Sequence, residues 1–200
     1  MRTSSPTSTA GAVREKVRKT APGTFLRRRD FEGSDRAVES AVSRLASSGE
    51  LVRVRKGLYW RGKQTRFGMT RPGALDVALA VAGPGSGPAG VSAAHMLGLT
   101  TQVPGTVEVA APGKAPEPIK GVRFRSRPYS RQTCKLRPME VAVLEVLRDP
   151  GAAELPWGAV ESRLAELLET DVVRRSALER SAVDEPSPAV RARWAELVPA

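Results

Sequence analysis

The chain predicts an α+β fold, with an N-terminal winged helix-turn-helix followed by a mixed α/β domain and a helical C-terminal tail. Three observations lead there. Residues 34–48 have helical periodicity and run straight into a short alternating basic segment that turns at Lys56-Gly57. Two further alternating segments, "GTVEVAAPG" and "KGVRFRSRP", lie between apolar helical stretches. From Pro138 onward the patterned stretches have helical spacing.

Composition bounds what such a fold can do. With 200 residues, 40% of them hydrophobic, the chain can bury one core of ordinary size or two small ones. Its 32 Lys and Arg against 21 Asp and Glu leave a net charge of +11, which suits a nucleic acid or an anionic membrane better than a neutral metabolite. No stretch approaches the ~18 apolar residues of a membrane span. The segment "MRTSSPTSTAGA" lacks the apolar region of a secretory signal and reads as a flexible polar tail. A single cysteine excludes an intramolecular disulfide, and the expected compartment is the cytoplasm. The charge is uneven: residues 1–71 carry 17 Lys and Arg against 6 Asp and Glu, whereas residues 138–200 carry 7 against 12. The front of the chain is therefore built to meet polyanions and the rear is not, which predicts a DNA-binding domain at 1–71 and a second domain at 72–200.

In "GAVREKVRK", residues 11–19, Val13 and Val17 stand at i and i+4 of a first helix. "TFLRRRDFEG", residues 24–33, is expected as a short helix closing in a Gly-containing turn. In residues 34–48, Ala37, Val38, Ala41, Val42 and Leu45 fall on one stripe at about 100° per residue. Ser34 is a fitting N-cap, Asp35 favours the positive helix end, and Gly49 stops the helix. A hairpin over residues 51–60 follows, and this order of elements is that of a winged helix-turn-helix.

That order gives the basic segment a purpose. A wing lies along the DNA backbone, where Arg53, Arg55 and Lys56 can neutralise phosphates while Val52, Val54 and Leu58 pin the ribbon to the helices. Gly57 permits the positive φ of a tight turn, and Tyr59 and Trp60 can stack or pack at the base of the ribbon. The alternative is a solvated edge strand whose charges only prevent aggregation. On the helix, the polar face of Arg36, Ser40, Ser43 and Ser47, flanked by Glu39 and Arg44, is small enough to approach a major groove, Arg36 has the chemistry for a bidentate contact with guanine, and Arg36, Ser40, Ser43 and Arg44 are the candidate DNA contacts. An ordinary solvated face is the competing explanation. Arg27, Arg28 and Arg29 precede the turn as phosphate contacts or simple surface charge, and Arg28 joins the candidate DNA-binding set.

The run "DFEGSDRAVESAVSRLASSGELVRVRKGLYW" resembles the amino-terminal domain of AbiEi-family antitoxins of AbiE-type toxin-antitoxin operons. "VSAAHMLGLTTQVPGTVEVAAPG", residues 91–113, and "LRPMEVAVLEVLRD", residues 136–149, continue the resemblance in the family's order. The resemblance implies a bacterial protein whose front represses its own operon at promoter DNA, commonly at inverted repeats. It also implies a rear domain that opposes a nucleotidyltransferase-like toxin, directly or functionally. A stand-alone winged-helix regulator is the nearest alternative.

In the rear part, "ALDVALAVAG" is expected as a helix ending near Gly83, "GPGSGPAG" as a turn-rich connection, and "SAAHMLGL" as a helix N-capped by Ser92. The two alternating segments are strands around a Pro-rich loop, and "MEVAVLEVLRD" is a buried helix entered by Pro138. "AVESRLAELLE", "VVRRSALERSAV" and "SPAVRARWAEL" form the helical tail. Gly85, Gly87 and Gly90 match G-x-G-x-x-G, yet the match follows a helix and lacks a βαβ context, so no cofactor is expected. His95 reads as a packing histidine, and Cys134 lacks a partner for nucleophilic chemistry. Soft ligands are too few for a structural zinc, so no metal is expected. A metal-dependent nucleic-acid enzyme is the rival from another class, and Glu108 with Asp76 or Glu117 is its conceivable carboxylate cluster. Glu140 and Glu145, five positions apart, are assigned to helix capping and surface solvation.

Overall fold

The structure, a computed structural model, describes residues 8–198, so residues 1–7 of the expected polar tail lie outside the described part. The chain divides into two compact units, Met1–Gly73 and Ala74–Ala200, each around its own apolar core.

In the first unit α1 (Thr9–Lys19) starts inside the segment expected to be tail, because the hydroxyl of Ser8 caps it by accepting from the Gly11 N–H at 3.2 Å. Then come β1 (Thr24–Arg27), a single 3₁₀ turn at Arg28–Asp30, α2 (Asp35–Ser47), β2 (Val52–Arg55) and β3 (Leu58–Arg61). The expected short helix over residues 24–33 is therefore a strand plus one tight turn. Thr24 and Phe25 favour extended backbone, and β1 pairs antiparallel with β3, matching Phe25 to Trp60 and Leu26 to Tyr59. Such a partner lies too far along the chain for local periodicity to reveal it. The sheet order is β1-β3-β2. Val13 and Val17 of α1 and Val38, Ala41, Val42 and Leu45 of α2 share a core with Leu26 and Tyr59 of the sheet and with Leu51, just before β2. Each fully buried Val or Leu contributes roughly 1.5–3 kcal/mol, so this small core rests on very few side chains. A second hairpin, β4 (Gln64–Thr65) and β5 (Gly68–Met69), follows the first.

Helix α2 occupies the expected residues, and Gly49, at φ +77°, closes it as expected. Ser34 sits at the N-cap position, but its hydroxyl makes no capping bond.

The second unit opens with α3 (Ala74–Ala82), β6 (Gly87–Pro88), α4 (Gly90–Met96), β7 (Val107–Pro112) and β8 (Val122–Arg127). Strand β7 is central, antiparallel to β6 and parallel to β8. The Pro-containing connection at residues 113–121 makes that parallel crossover with fewer than the about dozen residues usual for it. After α5 (Ser130–Thr133) comes α6 (Pro138–Arg148), buried continuously from Glu140 to Leu147, and then α7 (Trp157–Glu169), α8 (Arg175–Val183) and α9 (Pro188–Leu197). The result is the expected α+β arrangement with a helical tail.

Three local expectations change in this unit. The turn-rich stretch before α4 contains strand β6, and its glycines serve close packing: a Cβ on Gly85 would meet the Gln132 backbone at 2.6 Å, and one on Gly87 the Val141 side chain at 2.4 Å. Ser92 lies within α4 rather than at its N-cap, buried with its hydroxyl accepting from the Glu108 N–H at 3.1 Å. His95 faces solvent instead of packing, one position beyond the buried pair Ala93 and Ala94.

Candidate nucleic-acid interface

The basic ribbon is β2 and β3 joined by Lys56-Gly57, with Gly57 at φ +73°. Its register slips once: Arg53 pairs with Tyr59 and Arg55 with Leu58, which leaves Val54 as the extra residue of a bulge. The bulge resets the alternation. Leu51, Leu58 and Tyr59 carry the burial that anchors the ribbon, whereas Val52 and Val54 are only half-buried. Arg53 and Lys56 are exposed, while Arg55 is half-buried and already engaged. Trp60 packs its ring 4.7 Å from that of Phe25 and donates from Nε1 to the Thr70 carbonyl at 2.8 Å, so it braces the base of the ribbon.

On α2 the side chains of Arg36, Ser40, Ser43 and Arg44 are all exposed on the face opposite the core, with Glu39 beside them. Arg44 donates to the Ser40 carbonyl at 3.3 Å and Ser47 to the Ser43 carbonyl at 3.1 Å, contacts a ligand can displace. Among the described residues no carboxylate pairs with Arg36, Arg53 or Lys56.

Arg28 leaves the candidate set. Its guanidinium donates to the carbonyls of Phe31 at 3.0 Å and Gly33 at 2.6 Å, and pairs with Asp35 at 2.5 Å. Those bonds tie the turn to the first residue of α2 through Nη1 and Nη2, and Nε is buried without a partner among the described residues, so the guanidinium is committed to the turn. Arg29, the next residue, is the exposed one. Arg61 was not singled out by its sequence context: it donates to the carbonyls of Val17, Arg18 and Thr20 at the end of α1. A cation there satisfies orphan carbonyls and the negative helix end.

The second unit holds a polar cleft of about 590 Å³ lined in part by Glu108, Arg125, Arg127, Glu145, Arg148 and Asp149. Most of its charges are paired. Glu108 accepts from Arg123 at 3.0 Å and Arg125 at 2.8 Å. Glu145 accepts from Arg127 and Arg131, both at 2.7 Å, and Arg131 reaches Glu185 at 2.6 Å. Arg131 and Glu185 have fully buried side chains. Burial pushes the Glu145 carboxyl up, but hydrogen bonding from Arg127 and the charges of Arg131 and Arg127 outweigh it and hold the group below the usual carboxylate range. Glu140 behaves likewise: burial raises it, and bonds from the Arg174 side chain and the Arg137 and Arg174 backbone N–H groups bring it below that range.

Glu140 and Glu145 are thus corrected. Glu140 does cap α6, accepting from the Arg137 N–H at 2.7 Å, but neither residue is a solvated surface group. Their arginine partners come from other elements, and that long-range pairing makes burial tolerable. Glu108, Asp76 and Glu117 form no metal-holding group, and among the described residues no three His, Cys, Asp or Glu side chains gather as one. Cys134 is half-buried against the apolar core.

Residues 12–135 match the family of unknown function DUF6088, a span running from α1 in the first unit to just beyond α5 in the second. The chain belongs to this family. No curated protein matches it. Among solved structures it is similar to the crystal structure of the RV2827C protein from Mycobacterium tuberculosis, at 19% identity and a TM-score of 0.46, covering 96% of this chain and 76% of that one. No helix among the described residues is long and apolar enough to cross a membrane.

Proposed function

We propose that this DUF6088 protein is a cytoplasmic DNA-binding autoregulator, the antitoxin of a bacterial toxin-antitoxin pair, whose first unit binds the promoter of its own operon. The observation that carries the proposal is one scaffold presenting Arg36 on a helix and Arg53 and Lys56 on a sheet-anchored ribbon, all exposed and without a carboxylate partner among the described residues. Helix for groove and ribbon for backbone is how a winged helix divides base and phosphate contacts. The antitoxin half rests on the resemblance in residues 30–60, 91–113 and 136–149 to AbiEi-family proteins, and it assigns the opposition of a nucleotidyltransferase-like toxin to the second unit. The test titrates the full chain against duplex from upstream of its own gene and against an unrelated duplex, and measures growth of cells expressing the neighbouring toxin-like gene with and without it. Tighter binding to the upstream duplex together with rescue is expected. Equal binding to both duplexes would reject the regulator, and no rescue would reject the antitoxin.

A further inference from the structure

The second hairpin of the first unit, β4–β5, presents an aromatic side chain to solvent where a small core would ordinarily claim it. Phe67 is 86% exposed. It stands beside Arg66 at the tip of the hairpin, where Thr65 pairs with Gly68 across a two-residue loop. The guanidinium of Arg66 lies over its ring at 4.7 Å from the centroid.

The tip is held in place. The Thr65 hydroxyl donates to the Gly68 carbonyl at 2.7 Å and accepts from the Phe67 N–H at 3.2 Å, and Gly68 takes φ +99°. At the base, Lys63 and Thr70 exchange bonds: the Lys63 N–H donates to the Thr70 hydroxyl at 2.9 Å, and the Thr70 N–H to the Lys63 carbonyl at 3.0 Å. The Thr70 carbonyl also accepts from Trp60 on β3. Gly62 lies so close under Thr70 that a Cβ would sit 2.2 Å from its carbonyl oxygen. The hairpin is thus fastened to the strand that also forms the basic ribbon.

Its surroundings are cationic. Lys63, Arg66 and Arg71 are exposed, residues 60–73 contain no Asp or Glu, and among the described residues no carboxylate pairs with these three cations. An apolar protein partner does not call for three exposed cations, none paired with a carboxylate among the described residues, within four residues of one exposed phenyl ring. A polyanion whose base faces become available when a step opens does, and duplex DNA is one.

We infer that the β4–β5 hairpin is a second DNA-binding element, in which Phe67 wedges between base pairs from the minor groove while Lys63, Arg66 and Arg71 contact the flanking phosphates. The inference rests on the first unit binding DNA and adds a site next to the ribbon. An apolar side chain carried into the minor groove opens a base step and kinks the duplex, and the flanking cations offset the cost of approach.

The experiment uses the full chain and a mixed-sequence duplex carrying a fluorescent adenine analogue, whose emission rises when its step unstacks. Binding is read by anisotropy and unstacking by that emission, for the wild type, Phe67→Ala, Phe67→Leu and Arg53→Ala/Lys56→Ala. Phe67→Ala is expected to bind on the order of ten- to a hundredfold more weakly, from the loss of base contact, and to abolish the rise in emission. Phe67→Leu keeps an apolar wedge and is expected to restore part of both. Arg53→Ala/Lys56→Ala weakens binding yet still raises the emission at saturation. If the wild type binds with no emission change and Phe67→Ala binds equally well, the wedge is wrong while the ribbon stands. If the wild type binds no duplex, both fall. Stronger binding to the single strand than to the duplex, lost in Phe67→Ala, would also overturn the wedge, since the ring would then stack on an open strand. Circular dichroism of the variants checks that the fold is kept, as expected at a position so exposed.

Discussion

Replacing Arg53 and Lys56 together with Ala tests the ribbon most directly, because both side chains are exposed and neither pairs with a carboxylate among the described residues. A cation on a phosphate of B-DNA releases about 0.9 counterion, so losing two contacts should lower the magnitude of the slope of log affinity against log salt by about 1.8. Between roughly 50 and 200 mM salt, a fourfold range, the wild type should then lose about 12-fold more affinity than the variant. The loss should be the same on every duplex, since phosphates carry no sequence. Adding Arg55→Ala should deepen the effect by less than one further contact, because Arg55 is half-buried and already engaged. The assay is anisotropy of a labelled duplex over a salt series, with thermal unfolding as the control. Exposed substitutions of this kind stay within about 0.5 kcal/mol of wild-type stability. An unchanged slope, or a loss confined to one DNA sequence, would refute the assignment of these side chains to phosphates.

Arg36→Ala should weaken binding to the promoter duplex about five- to a hundredfold while sparing nonspecific duplex, as expected for a bidentate base contact; equal losses on both would mean that it touches phosphate alone. Arg28→Ala should leave the salt slope alone and lower the melting temperature of the first unit, because it removes bonds to Phe31, Gly33 and Asp35; a changed slope with unchanged melting would return Arg28 to the DNA. Glu145→Gln should destabilise the second unit by about 1.5–3 kcal/mol, since it removes the carboxylate shared by Arg127 and Arg131 and leaves Glu185 as the charge partner of buried Arg131. Because Glu140 and Glu145 are held below the usual carboxylate range, their stabilisation is present above the unfolded value near about pH 4.3 and is lost as pH falls through the folded values. Calorimetry over an acid series should therefore show weaker pH dependence in Glu145→Gln, and identical curves would refute the linkage. Residues 1–73 alone should bind DNA weakly and residues 74–200 alone should rescue toxin-expressing cells without binding the promoter; rescue that needs the ribbon residues in a full chain would show that protection runs through repression.

What the sequence revealed and what it concealed separate along a physical line. Helix α2 was legible residue by residue because its stripe, from Val38 to Leu45, and its stop at Gly49 are local. The turn at Lys56-Gly57 was legible for the same reason. Strand β1 was hidden because its partner β3 lies more than thirty residues on, and three consecutive arginines after Leu26 break any alternation. The bulge at Val54 was hidden too: strict alternation put Val52 and Val54 inward, whereas the extra residue hands the anchoring to Leu51, Leu58 and Tyr59. In the second unit Glu145 looked like a surface carboxylate because its partners Arg127 and Arg131 belong to other elements.

The arginines carry that lesson into function. A sequence count treats every cation before Pro72 as part of one electrostatic footprint, but the fold divides them by what their donors meet. Arg28 holds a turn, Arg61 caps α1, and Lys16 donates to the Asp30 carbonyl while lying over the Phe31 ring. Each places donors on backbone oxygens, so a phosphate would have to displace those bonds to gain them. Among the described residues of this unit, the exposed cations with no carboxylate partner include Arg36 on α2, Arg53 and Lys56 on the β2–β3 ribbon, Arg29 on the turn, and Lys63, Arg66 and Arg71 in and beside the β4–β5 hairpin, and of these the proposals assign all but Arg29 to DNA. The measured salt slope should therefore fall well short of the value implied by 17 basic residues, and the shortfall should persist in Arg28→Ala, whose lost bonds were never to DNA. A slope near the full count would mean that the turn and cap bonds open on binding, and that this unit reorganises around its ligand rather than docking as a formed surface.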